Sequence, residues 1–136
     1  MSSNAIERMA PLKLGKLKIL SLGRNKLSKI DNLNSISSSL EQLWISYNFI
    51  GNLDGVLVCK KLTTLYISNN KIRSWKEIAK LRELPALRDL LLQGNDICKD
   101  LDPQEYRVQV LKLVPQVTKI DGKLVTPIER QMAEDS

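Results

Sequence analysis

Four copies of one spacing run through this chain of 136 residues, and they constrain its fold more than any other feature. They read Leu17-x-x-Leu20-x-Leu22-x-x-Asn25-x-Leu27-x-x-Ile30 and Leu40-x-x-Leu43-x-Ile45-x-x-Asn48-x-Ile50-x-x-Leu53. The third is Leu62-x-x-Leu65-x-Ile67-x-x-Asn70-x-Ile72-x-x-Trp75. The fourth, Leu87-x-x-Leu90-x-Leu92-x-x-Asn95-x-Ile97, departs at Asp100, where an apolar residue is expected. The starts are 23, 22 and 25 residues apart. A unit this short cannot bury its own leucines, so successive copies must stack into a continuous core.

Each position has a physical reading. Leu20-x-Leu22 and its equivalents carry the two-residue period of a strand with one buried face. Asn25, Asn48, Asn70 and Asn95 stand where the chain leaves that strand. There an inward amide can both donate to and accept from backbone groups that the turn leaves unpaired. This is the pattern of the leucine-rich repeat. It predicts an α/β solenoid of 22–25-residue repeats, with a parallel sheet on one face, short helices on the other and a C-terminal helical cap. Ser74-x-x-Glu77, followed by KEIAKLREL, reads as a capping box opening a helix that Pro85 stops. Trp75 falls at an inward repeat position and is expected in the core.

The two ends differ. Asp102-Pro103-Gln104-Glu105 supplies an N-cap, a first-turn proline and an acid for a helix through YRVQVLKLV. Val117-x-x-Ile120-Asp121-Gly122 reads as a last half-coil, and Thr126-Pro127-Ile128-Glu129 as a second capping box for a helix reaching Gln131 or Met132. The expected organisation is a repeat domain with its cap over residues 1–122, then a short helix and tail over 123–136. Asn4-x-Ile6-x-x-Met9 fits the second half of a repeat, which makes residues 1–16 a partial first coil. The matching strand would precede residue 1, so the expectation is a shortened N-terminal edge, the alternative being a first coil covered by something else.

Composition removes most chemistry. There is no His, hence no standard catalytic triad and not the commonest zinc ligand. Phosphate-cradling GxxxxGK[ST] and GxGxxG loops are missing too. Cys59 and Cys98 are too few for a disulfide framework and point to a reducing compartment. Cys98 has nothing evident to depress its pKa and reads as inert. Asp96, Asp100, Asp102 and Glu105 lack the spacing of a calcium loop and read as helix caps and solvated turn acids. The chain is therefore expected to be no enzyme and to need no cofactor or metal. No apolar run reaches the roughly 18–20 residues of a membrane span. The net charge of +6 is local, because residues 1–30 hold seven basic side chains and Glu7 alone on the acidic side. The remainder is neutral, which argues against diffuse nucleic-acid binding and leaves a solvated basic edge or an acidic partner.

Residues between the inward leucines point onto one open face. Stacking the copies makes a column of Ser21, Trp44, Tyr66 and Leu91, flanked by Ile19, Gln42, Thr64 and Asp89. On the other side lie Gly23, Ser46, Ser68 and Gln93, then Arg24, Tyr47, Asn69 and Gly94. A contiguous patch rich in Trp, Tyr and Arg marks a partner-binding surface. The expected contact residues are Trp44, Tyr47, Tyr66, Leu91, Arg24, Ser46, Ser68 and Gln93. A C-terminal segment folding back over the face is the competing reading.

LKILSLGRNKL (17–27), LEQLWISYNFI (40–50) and LTTLYISNNKI (62–72) closely resemble the leucine-rich-repeat light chains of axonemal outer-arm dynein. RSWKEIAKLRELPALRDLLLQGN (73–95) and EYRVQVLKLVPQVTKIDG (105–122) continue the resemblance over essentially the whole chain. WISYNFI is its most specific part, because the repeat itself does not demand outward Trp44, Ser46 and Tyr47. The resemblance implies a non-catalytic subunit of the ciliary or flagellar axoneme, cytoplasmic and cytoskeletal. It would dock on a dynein heavy chain near its microtubule-binding stalk, with tubulin a possible second partner and neither nucleic acid nor membrane involved. It places heavy-chain docking on Trp44, Tyr47, Tyr66 and Leu91, and motor control on the helix carrying Arg130. Against the family, the first coil and N-terminal helix are expected to be missing, Lys123 and Thr126 replace family residues near the terminal helix, and the extreme tail is expected to be short. A spliceosomal or a phosphatase-regulating leucine-rich-repeat adaptor is the alternative.

Overall fold

The computed structural model describes residues 17–135; the expected partial coil over 1–16 lies outside them. Six strands follow one another in a single sheet: β1 (Ile19–Ser21), β2 (Gln42–Trp44), β3 (Thr64–Tyr66), β4 (Asp89–Leu91), β5 (Lys119–Ile120) and β6 (Lys123–Leu124). The first five are parallel, and β6 turns back antiparallel on β5. Leu20, Leu43, Leu65, Leu90 and Ile120 lie opposite one another in register and are all buried. The spacing of the repeat is thus the register of the sheet.

The other side of each coil is built from short turns of helix. Coils one and two use 3-10 turns, Asn34–Ile36 and Asp54–Val56. The third coil holds α1 (Trp75–Lys80), which tightens into a 3-10 turn at Leu81–Glu83, and the fourth a 3-10 turn at Asp96–Cys98. Gly55 lets the second coil close on the first, since a Cβ there would fall 1.7 Å from the Ile30 carbonyl oxygen. Two expectations for α1 need correction. Ser74 caps Lys76 N–H, but Glu77 does not complete the box. Its carboxylate accepts from Leu53 N–H at 2.8 Å and pairs with Lys80, which also reaches Asp54 at 2.7 Å. The neighbouring coil's otherwise unpaired N–H outcompetes the helix's own. Trp75 is half-buried rather than interior. It opens α1 and packs on Tyr106 at 6.1 Å between ring centroids, while Ile78 turns into the core.

The asparagines join the coils. All four are buried. Asn70 Nδ2 donates to the carbonyls of Ile67 in its own coil and Ile45 in the coil before, both at 3.1 Å. Its Oδ1 accepts from Ile50 N–H at 3.0 Å. Asn48 repeats this toward Leu22, Ile45 and Leu27, and Asn95 toward Ile67, Leu92 and Ile72. Asn25 donates to Leu22 and Gly23.

The C-terminal end closes by substitution. The N–H groups of Leu22, Ile45 and Ile67 donate to the next strand's Trp44, Tyr66 and Leu91 carbonyls. For Leu92 the Asp121 carboxylate takes that place at 2.7 Å and also accepts from Gln93 N–H at 3.0 Å. Beyond it, α2 (Pro103–Leu113) packs against α3 (Pro127–Glu134), the latter opened by the expected Thr126–Glu129 capping box. Between them Arg107 meets Glu129 at 2.6 Å and donates to the carbonyls of Ile120, Lys123 and Leu124. That guanidinium, with the Thr126 N–H, holds the Glu129 carboxyl down to about 2.

Two outcomes follow from these bonds. Asn70→Ala leaves the buried Ile50 N–H unpaired and should destabilise the chain by about 3 kcal/mol in urea titration, against less than ~0.5 for the exposed Lys61→Ala. Glu129 has its folded pKa depressed below its unfolded value. Its contribution, about 3 kcal/mol from the size of the shift, should be complete above about pH 6 and lost as pH falls toward 2. Thermal unfolding across that range checks this, and Glu129→Gln should lower stability at pH 7 and flatten the acid limb.

Candidate partner-binding face

Because the strands stack in register, the outward residues form the expected columns. Ser21 faces Trp44, Trp44 faces Tyr66 and Tyr66 faces Leu91. The Trp44 and Tyr66 rings stack at 5.9 Å with 20° between their planes. Each ring is held at its polar end: Trp44 Nε1 donates to Gln42 at 3.2 Å, and Tyr66 Oη to Asp89 at 3.0 Å. Burial and the Asp89 carboxylate push the Tyr66 hydroxyl above its ordinary pKa, so it stays a donor. Arg24 lies over the Tyr47 ring, 4.5 Å from its centroid.

These groups enclose an open hollow of about 210 Å³ lined by Ser21, Gly23, Arg24, Trp44, Ser46, Tyr47 and Tyr66. Trp44 remains 38% exposed and Tyr47 48%, large values for residues whose burial would be favourable. Of the eight expected contact residues, five meet in this hollow. Ser68 is buried and donates its hydroxyl to Ser46 Oγ at 2.9 Å, which positions Ser46. Leu91 is half-buried and continues the aromatic column, and Gln93 is exposed beyond it; neither lines the hollow. Ile19, 46% exposed, extends the apolar area on the β1 side. Among the described residues nothing folds back over the face, and α3 lies on α2 instead.

The rim of the hollow has an unusual backbone. Arg24, Tyr47, Asn69 and Gly94 occupy one position of the repeat, and all have positive φ, at 58°, 59°, 53° and 86°. Each of the first three donates its N–H to the next coil, at Ser46, Ser68 and Gln93, so stacking imposes the conformation. Gly and Asn suit it, whereas an ordinary side chain pays roughly 1–2 kcal/mol there. Arg24 and Tyr47 are thus held on the rim against their backbone preference. Asn69 and Gly94 in the same column are the sequence signal for this conformation.

Away from the face, the polar residues singled out in the sequence make internal bonds. Arg130 donates to the Pro115 and Val117 carbonyls at 3.0 and 2.7 Å, pinning α3 to the turn after α2. Asp102 caps α2, and Asp96 pairs with Lys99 at 3.0 Å. Among the described residues no group of three or more acidic or sulfur side chains could hold a metal. Burial pushes the Cys59 thiol up to about 11 and raises that of Cys98, which makes both poor nucleophiles. Among the described residues no helix is long and apolar enough to cross a membrane.

Comparison with known proteins gives the family and the fold. A family profile for leucine-rich repeats in two copies matches residues 38–80. Dynein axonemal light chain 1 of Chlamydomonas reinhardtii is 46% identical over 98% of this chain and 70% of its own length. The Danio rerio protein of the same name is 41% identical over the whole chain and 72% of its own length. In fold, the chain resembles one in the crystal structure of the Drosophila melanogaster SNF/U2A' complex. That match has a TM-score of 0.85 at 22% identity, over 96% of this chain and 75% of the other. The likeness to the solved structure is one of fold alone. With the repeats matched and 41–46% identity extending over essentially all of this chain and about 70% of the relatives' length, the chain belongs to the dynein axonemal light chain 1 family of leucine-rich-repeat proteins.

Proposed function

We propose that this protein is a non-catalytic light chain that docks on an axonemal dynein heavy chain, near its microtubule-binding stalk, and tunes motor activity in ciliary or flagellar beating. Membership of the family supports the light-chain role and an axonemal place. The observation that carries the docking surface is the hollow made by Arg24, Trp44, Tyr47 and Tyr66, a preformed aromatic pocket that nothing among the described residues fills. Preformed rings cost little side-chain entropy on binding, and such residues dominate interface energetics. Ser46 lines the same hollow with Ser68 buried beneath it, and Leu91 and Gln93 supply the surround. Arg130, bonded to the Pro115 and Val117 carbonyls, fixes the terminal helix on which the family resemblance puts motor control.

The reading is tested on purified protein and a recombinant stalk-tip domain of an outer-arm dynein heavy chain. Trp44→Ala or Tyr66→Ala should weaken binding by about 2 kcal/mol, some thirtyfold, with the urea midpoint close to wild type. Unchanged affinity in the double variant would place docking elsewhere. Pull-down from flagellar axonemes against nuclear extract separates the spliceosomal alternative. Recovery of splicing proteins without dynein heavy chain would overturn the light-chain reading.

A further inference from the structure

The hollow is apolar on its floor but carries one unspent charge on its rim. Arg24 is exposed, lies on the Tyr47 ring, and has no carboxylate partner among the described residues. A guanidinium flat on an aromatic face is oriented by that face while its edge donors stay free, the arrangement suited to a planar carboxylate. Its backbone is the second, independent observation. At φ 58° it sits where the same repeat position elsewhere holds Asn69 and Gly94, so the fold would be better served by a smaller residue. Strain kept at an exposed position, where among the described residues the side chain rests on the Tyr47 ring, points to a role for that side chain outside the fold.

We infer that Arg24 selects the partner. The docking segment inserts one bulky apolar side chain between Trp44, Tyr66 and Tyr47, and presents an Asp or Glu beside it whose carboxylate the Arg24 guanidinium takes in a forked hydrogen bond. This rests on the docking face proposed above and adds its chemistry. Aromatic packing supplies most of the affinity, and Arg24 rejects segments that are apolar but uncharged or basic at the adjacent position. Arg24 is the one charged residue among those lining the hollow, Ser21 and Ser46 being neutral, so the charge requirement falls on the side of the inserted residue that faces Arg24.

Two measurements on the full chain test this. In the first, wild type, Arg24→Asn, Arg24→Glu and Trp44→Ala are titrated against the stalk-tip domain at low and high salt. Arg24→Asn should bind about tenfold more weakly and lose most of the salt dependence, while its thermal midpoint stays at or above wild type because the strain is relieved. Arg24→Glu should lose about a hundredfold. Wild-type affinity and salt response in Arg24→Asn would overturn the inference even where Trp44→Ala still abolishes binding. In the second, a random peptide library is selected on wild type and on Arg24→Asn. Wild type should enrich a bulky apolar residue adjacent to Asp or Glu, and Arg24→Asn the apolar residue alone. Equal acid content in the two pools overturns the inference. If wild type fails to bind the stalk-tip domain, the heavy-chain reading falls, and the peptide pools decide the role of Arg24 independently.

Discussion

The buried asparagine ladder is the interaction on which the rest depends. A solenoid coil turns out of its strand without a helix or a neighbouring hairpin to satisfy its backbone, and unpaired buried amides are too costly to keep. Asn48, Asn70 and Asn95 meet that need twice over, bonding their own coil and the one before. Each therefore fixes the height at which one coil sits on the next. The leucines supply the driving force, but hydrophobic burial is non-directional and would tolerate slippage. The amides do not.

A locked register has a consequence on the solvent side. Trp44 stacks on Tyr66, and Arg24 on Tyr47, because the coils beneath them cannot shift, so the rings of the face are held by the interior ladder as much as by each other. The same stacking imposes positive φ on the rim residues by drawing their N–H groups to the next coil. The stability of the core thus carries the strain of Arg24 and Tyr47, and the chain can display side chains there that no isolated turn would hold.

Much of this was legible in the sequence because a repeat turns spacing into geometry. Strand positions, outward columns and the asparagine roles follow from counting residues. What the count could not show is competition between neighbours. Ser74 and Glu77 have the spacing of a capping box, yet Glu77 serves Leu53 in the adjacent coil. Trp75 has the spacing of a core residue, yet it begins a helix that sends Ile78 inward instead. Ser68 counts as an outward residue but ends buried under Ser46. Strand β6 and the Arg107–Glu129 pair have no repeat to announce them, since they arise only where the repeat stops.

That stopping place explains why the face is left open. A solenoid must end on something that satisfies its last coil, and a helix laid across the sheet would do so at the expense of the binding surface. Here β5 is cut short at Ile120, and a side chain, Asp121, accepts the N–H groups of Leu92 and Gln93 where a longer strand would offer a backbone carbonyl, while β6 pairs with the outer edge of β5. The chain then reverses through Asp121 and Gly122, both at positive φ, and α3 is tied to α2 by Arg107, Glu129 and Arg130. Every one of these bonds lies at the end of the stack. The cap therefore closes the core without crossing the sheet, and the aromatic hollow keeps its exposure for a partner.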